Sequence, residues 1–347
     1  MKKFLSIALA LLMVCVMLPV VVLAAEKTAS TYEELKSAIS TANDGDTIKL
    51  LADIDLSQTI TVNKTITLNM NGKKLYNTSD LWDKPTAEDD NWSLISVRGS
   101  GNLTITGNGT FAAKENDCYA VDVQESATVT IKNGTFIGNI HAVYVFAGTA
   151  NVEGGTYSVQ QKYPDSAKGD EFVLNCYDAN RANGTAHINV TGGTFKNFNP
   201  ADNKAEGEGN NFADNSLVVQ KNNTVQNNDY YVGNAANEVI AAASKGEEIF
   251  VLNGTTLTNV PAGVIIQNRT GDRITVNGKD VELTGDAGYT VPASNITIIV
   301  PGDTTPAETP KTEDQKNPST GANDFVGLAA AAAVMALLGS AVVLRKK

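Results

Sequence analysis

The sequence holds only two histidines, three cysteines and two tryptophans among 347 residues. So little histidine and cysteine leaves scant material for a zinc site or a thiol enzyme. Cations are also scarce: 27 Lys+Arg face 38 Asp+Glu, a net charge of −11. Both ends are basic by two charges each, so the body between them, Ala25 to Thr320, stands at −15. An acidic body with no basic cluster argues against nucleic acid and anionic lipid as partners. Its 296 residues suffice for one large β domain or two smaller ones.

The two ends read as processing segments. Residues 1–24 have the layout of a secretory signal: Lys2 and Lys3, an apolar run from Phe4 to Leu23, then Ala24–Ala25 at a cut site. At the other end three features follow in order: Asn317-Pro318-Ser319-Thr320-Gly321, an uncharged stretch over 325–344, and Arg345-Lys346-Lys347. Such a stretch is long enough to span a bilayer, and a basic stop keeps the tail cytoplasmic. This triad over 317–347 resembles the cell-wall sorting signal of Gram-positive surface proteins, with Asn317 where that family usually has Leu. The resemblance implies a sortase and peptidoglycan as partners, with the Thr320 carbonyl transferred to a wall-peptide amine. A plain C-terminal membrane anchor is the alternative. Residues 301–316, rich in Pro and Thr, form an extended linker between the body and this signal.

Within the body, one phrase recurs: Asn108-Gly-Thr-Phe111, Asn133-Gly-Thr-Phe136, Gly154-Gly-Thr-Tyr157 and Gly192-Gly-Thr-Phe195. A short alternating strand precedes each, carrying Leu103 and Ile105, Val129 and Ile131, Ala150 and Val152, and Ile188 and Val190. Period-two alternation marks a half-buried strand. The extra residue between Ile105 and Phe111 predicts a bulge. A further strand aligns over Tyr119–Val123, His141–Val145 and Phe172–Cys176. Its inward columns are Val121/Val143/Leu174 and Val123/Val145/Cys176. Its outward columns are Ala120/Ala142/Val173 and Asp122/Tyr144/Asn175. Units stacked with like over like form a solenoid of parallel β-coils.

Thr31-Tyr-Glu-Glu34 is a capping box, followed by Leu35, Ala38, Ile39 and Ala42 at helical spacing, with Gly45 expected to close the helix. Such a helix would cover the open end of a solenoid. The opening recurs late: Gly45 aligns with Gly246, Ile48 with Ile249, and Asn71-Gly72 with Asn277-Gly278. The expected organisation is a main domain over 25–232 and a short second module over 233–300. The Asp44-Gly-Asp-Thr-Ile48 segment, Thr65–Leu75 and the Gly-Gly-Thr-Phe repeats resemble right-handed parallel β-helix surface proteins of gut Gram-positive bacteria, in the pectin-lyase-like superfamily. The resemblance implies an all-β, right-handed parallel β-helix solenoid with an N-terminal capping helix.

Enzymes on that fold cleave acidic polysaccharides with clustered carboxylates, Ca²⁺ and an Arg or Lys base. Here Asp89 and Asp90 are adjacent and would face opposite ways on a strand. Arg98, Arg181, Arg269 and Arg273 are isolated. His141, at an inward phase, and His187, at an outward one, read as structural. No cofactor is expected. Ca²⁺ is the one ion that an Asp202, Glu206, Glu208 and Asp214 loop could hold, against the simpler reading of a solvated acidic loop. Cys118 and Cys176, on different phases and two coils apart, lie beyond disulfide reach. Two groups could contact a ligand. Trp82 and Trp92 share one polar loop, where aromatic rings can stack on sugars; closing the first coils is the alternative. Asp122, Tyr144 and Asn175 form the second stripe, with a plain solvated face as its alternative. The expectation is a wall-anchored display protein that binds glycans or a host surface. A polysaccharide lyase or glycoside hydrolase, and a purely structural surface protein, are the alternatives.

Overall fold

The computed structural model describes residues 24–82, 92–161, 172–201, 211–212, 216–221, 228–234, 240, 243–252, 256–282 and 288–293. The leader up to residue 23, the linker 301–316 and the signal 317–347 with its apolar stretch lie outside the described residues. Among the described residues no helix is long and apolar enough to cross a membrane.

Three sheets are visited in a fixed order, coil after coil. The first sheet runs in parallel through Glu26–Ala29, Thr47–Leu50, Thr65–Asn69, Asn102–Thr106, Thr128–Ile131, Gly148–Val152, Ala186–Val190 and Asn211–Phe212. The second begins with six parallel strands: Ile54–Asp55, Lys74–Tyr76, Thr110–Ala112, Thr135–Gly138, Thr156–Val159 and Gly193–Lys196. The third stacks Ile60–Val62, Ser93–Val97, Tyr119–Val123, Val143–Val145 and Leu174–Cys176. The protein is mostly β with long parallel sheets, consistent with a β-helix-like solenoid.

The register explains the repeat. Leu103, Val129, Ala150 and Ile188 are successive partners in the first sheet and are all buried. Between the apolar columns runs a polar ladder, where Asn189 Nδ2 donates to Asn151 Oδ1 at 2.9 Å. In the second sheet the repeat aromatics fall in one column. Phe111, Phe136, Tyr157 and Phe195 stack face to face, with centroids 4.8, 5.1 and 5.1 Å apart and planes within 13°. All four are fully buried. The Gly-Gly of the phrase has a division of labour. A Cβ on Gly154 or Gly192 would lie 2.4 or 2.3 Å from a carbonyl oxygen of the preceding coil, on Lys132 or Glu153. Gly155 and Gly193 hold φ of +100° and +116°, which side chains rarely adopt.

The extra residue before Phe111 is not a strand bulge. It is absorbed at the corner, where Gly107 and Asn108 both take positive φ, +90° and +52°. A second expectation fails in the third sheet. Ala120, Ala142 and Val173, expected outward, join the buried core together with Val121, Val143 and Leu174. Two successive residues can both point inward because the ladder is broken there: the N–H groups of Ala142 and Val143 share the Val173 carbonyl, at 2.9 and 3.1 Å. The break reverses the phase of everything before it.

The first helix, α1 (Tyr32–Ser40), starts as expected. Glu34 N–H donates to Thr31 Oγ1 at 3.2 Å and the Glu34 carboxylate accepts from Ser30 N–H at 2.7 Å. Leu35, Ala38 and Ile39 are buried in the core. Its end differs: Thr41, not Gly45, is the cap, and Lys64 Nζ donates to the Ser40 and Ala42 carbonyls at 2.6 and 2.7 Å. A cation there satisfies orphan carbonyls and complements the helix dipole. Asp46 fixes the first coil by accepting from the N–H groups of Ala25 and Asn43, at 2.8 and 2.9 Å. Those two bonds hold its carboxyl below the ordinary range.

Beyond Gly193–Lys196 the second sheet continues through Asp229–Asn234, Ser216–Lys221 and Glu248–Val251 as antiparallel neighbours. It then adds Ile265–Asn268 in parallel. The strand Ser216–Lys221 separates two cores: Val218 packs in the first, Leu217 and Val219 in a second with Ile249, Val251, Val264 and Ile274. The aligned late residues match in conformation: Asn277-Gly278 takes φ of +49° and +78°, against +49° and +71° at Asn71-Gly72.

The aromatic column should dominate stability. Phe136→Ala is expected to cost about 3–5 kcal/mol, as large core truncations do, read from urea denaturation. Tyr157→Phe removes only a hydroxyl that donates to the Gly154 carbonyl at 2.5 Å and should cost about 1 kcal/mol. Equal losses for the two variants would mean that ring stacking in this column adds nothing.

Candidate functional site

The outer face of the third sheet gathers the chain's unusual side chains. Backbone register sets a grid. The middle row is Ser96, Asp122, Tyr144 and Asn175, successive partners across four coils. Two residues further along each strand lies a second row, Arg98, Gln124, Phe146 and Tyr177, aligned by ladder bonds such as Gln124 N–H to the Val97 carbonyl and Tyr177 N–H to the Val145 carbonyl, both 2.9 Å. At the strand starts, the broken ladder turns Tyr119 and His141 onto this face as well. His141 therefore does not point inward as its phase suggested: its ring stacks on Tyr144 at 5.3 Å and 13°.

The two tryptophans join the same group. Trp82 stacks on Trp92 at 5.8 Å and 20°, and meets Tyr119 edge-on at 5.4 Å. Tyr119 in turn lies 4.8 Å from His141 and 5.2 Å from Tyr144. The ligand-contact candidates read from the sequence, Trp82, Trp92, Asp122, Tyr144 and Asn175, thus lie around one aromatic patch. Trp82 is held there by Asp117, a buried carboxylate from the next coil. It accepts from Trp82 N–H at 2.7 Å, Leu81 N–H at 2.9 Å and Asn77 Nδ2 at 2.6 Å. Lys114 ties down the same segment through its ion pair with Asp80. Leu81 drops into the core while Trp82 stays 39 % exposed.

Asp122 is corrected most. As a member of an outward stripe it could have been solvated, yet it is fully buried. Gln124 Nε2 donates to one oxygen at 2.7 Å and Ser96 Oγ to the other at 2.9 Å, while Arg98 Nε donates to Ser96 at 2.8 Å. Its carboxylate is thus stabilised by neighbours, with the Arg98 cation one hydroxyl away. Tyr144 and Asn175 remain partly exposed.

Sequence reasoning missed Phe146 and Tyr177. They stack on each other at 4.8 Å and are 36 % and 43 % exposed. Their signal was available: each lies two residues beyond a member of the outward stripe, hence on the same face. Tyr177 leads into a short helix, α2 (Asp178–Ala182), whose Asn180 Nδ2 donates to the Phe146 carbonyl at 2.7 Å.

Among the described residues no group of three or more His, Cys, Asp or Glu side chains could hold a metal ion. Asp202, Glu206, Glu208 and Asp214, as well as Asp89 and Asp90, lie outside them. His187 is remote from the patch in register, and its Nε2 is 2.8 Å from the Gly184 carbonyl. Neither Cys118 nor Cys176 forms a disulfide, and both are buried. Cys118 packs within the core rather than on an outward phase, and burial, helped by the Asp117 charge, pushes its thiol far above the ordinary range. Such a thiol is no nucleophile.

His141 gives this face a pH dependence. Nδ1 is 2.8 Å from the Phe172 carbonyl, which can only accept, so Nδ1 carries the proton. Nε2, 3.0 Å from Asn175 Nδ2, then accepts from that amide. Burial lowers the imidazole pKa to about 4, against the raising effect of the Phe172 and Ile140 backbone. With the folded value below the unfolded one, the unfolded chain takes up the proton first as pH falls. His141 stabilisation is complete above the unfolded pKa of about 6.5 and is lost towards pH 4, about 3 kcal/mol in all. Urea midpoints of the wild type and His141→Gln, compared between pH 7.5 and 4.5, should show a shallower pH slope in the variant. Identical slopes would mean that His141 titrates as it does in the unfolded chain.

No protein-family model, no curated protein and no solved structure matches this chain.

Proposed function

We propose that this chain is an exported, right-handed parallel β-helix, joined to peptidoglycan through Thr320, that binds glycans on the outer face of its third sheet. Right-handedness is the expectation for parallel strands joined by crossovers, of which about 98 % take that hand. One observation carries the binding reading. Among the described residues the exposed large hydrophobic side chains are Leu51, Trp82, Phe146 and Tyr177. All but Leu51 are aromatic and border this one face, beside the half-buried polar residues Tyr144 and Asn175. Rings next to polar groups match a pyranose, which offers C–H bonds on one side and hydroxyls around its rim.

A lyase or hydrolase needs a free acid–base set. On this face Asp117 and Asp122 are buried and committed to hydrogen bonds, and Asp80 is paired with Lys114. That favours binding over cleavage.

Trp82→Ala should weaken glycan binding by about 1–3 kcal/mol, the usual cost of removing an aromatic anchor, with little change in melting temperature. The check is a glycan array and calorimetry on the full chain, with product release followed in parallel. Sugar products accumulating with time would establish the enzyme reading instead, and a protein that neither binds nor cleaves any glycan would leave a structural role.

Anchoring has its own test. With Thr320→Ala, the protein should leave the muramidase-released wall fraction for the membrane or medium. An unchanged wall fraction would reject the sorting signal.

A further inference from the structure

The exposed rings lie at opposite corners of the grid. Trp82 sits beside Tyr119, at the strand start of one coil. Tyr177 sits at the strand end, two coils further on. Five residues along a strand at ~3.3 Å and two coils at ~4.8 Å put the corners ~19 Å apart on the diagonal, about four pyranose units. Tyr144 and Asn175 lie between them. A single sugar cannot touch both corners.

Charge narrows the class further. The body carries −15, and Asp80, Asp117 and Asp122 all lie at this face. Among the described residues its cations are engaged: Lys114 is paired with Asp80, Arg98 donates to Ser96, and Arg181, on α2 beside Tyr177, is paired with Asp178. A polyuronate would bring one negative charge per sugar against that field. An uncharged chain would meet no such penalty, and equatorial β-1,4 linkages keep its C–H faces flat enough to lie on rings.

We propose that the face takes an extended, uncharged β-1,4-linked glycan of four or more units, lying diagonally from Trp82 to Tyr177. This rests on the glycan-binding reading and adds chain length, charge and path to it.

Calorimetry on the full chain with cello- and chito-oligosaccharides of two to six units tests it, with the galacturonate hexamer as the charged control. Affinity should rise at least about tenfold from the dimer to the tetramer and then level off, since only the tetramer reaches both anchors. Trp82→Ala and Tyr177→Ala should each return the hexamer to within a few-fold of the dimer's affinity. Tyr177→Phe should keep the hexamer's affinity, because the ring and not the hydroxyl is the anchor. Far-ultraviolet melting curves confirm that each variant is folded. The galacturonate hexamer should bind at least about tenfold more weakly than the neutral hexamers.

Neutral dimers that bind as tightly as hexamers would overturn the extended path, and so would Tyr177→Ala without effect on the hexamer. A galacturonate hexamer equal to the neutral ones would overturn the charge preference. In all three cases glycan binding itself stands. Absence of binding to every probe, with the broad array also blank, removes both readings.

Discussion

Every coil must place its side chains ~4.8 Å from those of the next, because the ladder hydrogen bonds of parallel strands fix that rise. The interior therefore becomes a set of columns, and a column is stable only when successive residues fill the same space. Phe111, Phe136, Tyr157 and Phe195 meet this demand with rings whose own stacking distance, 4.8–5.1 Å, is close to the rise. The corners must then be tight, and each phrase begins with glycine or Asn-Gly where the backbones of neighbouring coils nearly touch. The second sheet's parallel run ends when the antiparallel strand Asp229–Asn234 takes up the edge at Gly193–Lys196. That pairing uses the open hydrogen bonds which would otherwise recruit another chain.

The third sheet departs from this regularity, and the departure makes the candidate site. A strict period of two would have put Tyr119 and His141 inside and Ala120 and Ala142 outside. The ladder slips at both strand starts: Ala142 and Val143 share the Val173 carbonyl, while Ala120 N–H reaches the His141 carbonyl only at 3.4 Å and Val121 N–H takes that of Ala142. The small alanines fill the core at the corner, and the two rings come out beside Tyr144. The outer face gains two aromatic residues at the cost of an imperfect ladder step on each of the two strands, a device seen where strands re-aim side chains near functional sites. His141 is locked there as a neutral imidazole between a carbonyl and an amide, so its place on the face depends on Asn175 from the next coil.

Much of the body was legible in the sequence because columns require repetition, and repetition can be read. The strand order, the columns Val121/Val143/Leu174 and Val123/Val145/Cys176, and the capping box at Thr31 all appear where the pattern put them. What was not legible depends on single steps that break the pattern. The phase shift at Ala120–Val121 leaves no mark in composition, since alanine suits either side of a strand. The burial of Asp122 could not be seen either. An isolated aspartate on an outward phase looks solvated until Ser96 and Gln124 are known to converge on it. Likewise, nothing near Asp117 in sequence shows that it accepts from Trp82 N–H, 35 residues away. The corner between Ile105 and Phe111 was misread for the opposite reason. An extra residue is visible in sequence, but a Gly-Asn corner absorbs it as readily as a strand does.

A face assembled in this way has a particular chemistry. The rows of the face run across four successive coils, so their spacing is set by the backbone; Trp82 alone is brought in by a loop. The anchors at the two corners are positioned independently: Trp82 by the Asp117 carboxylate, and Tyr177 by the ladder bond to Val145 and its stack on Phe146. Loss of one leaves the other in place. Contacts arrayed at a fixed pitch favour a ligand that itself repeats, since a chain of identical units can meet successive rings without bending. A compact ligand would satisfy one corner and leave the other exposed. The same stacking rule that builds the core therefore shapes what the surface can hold.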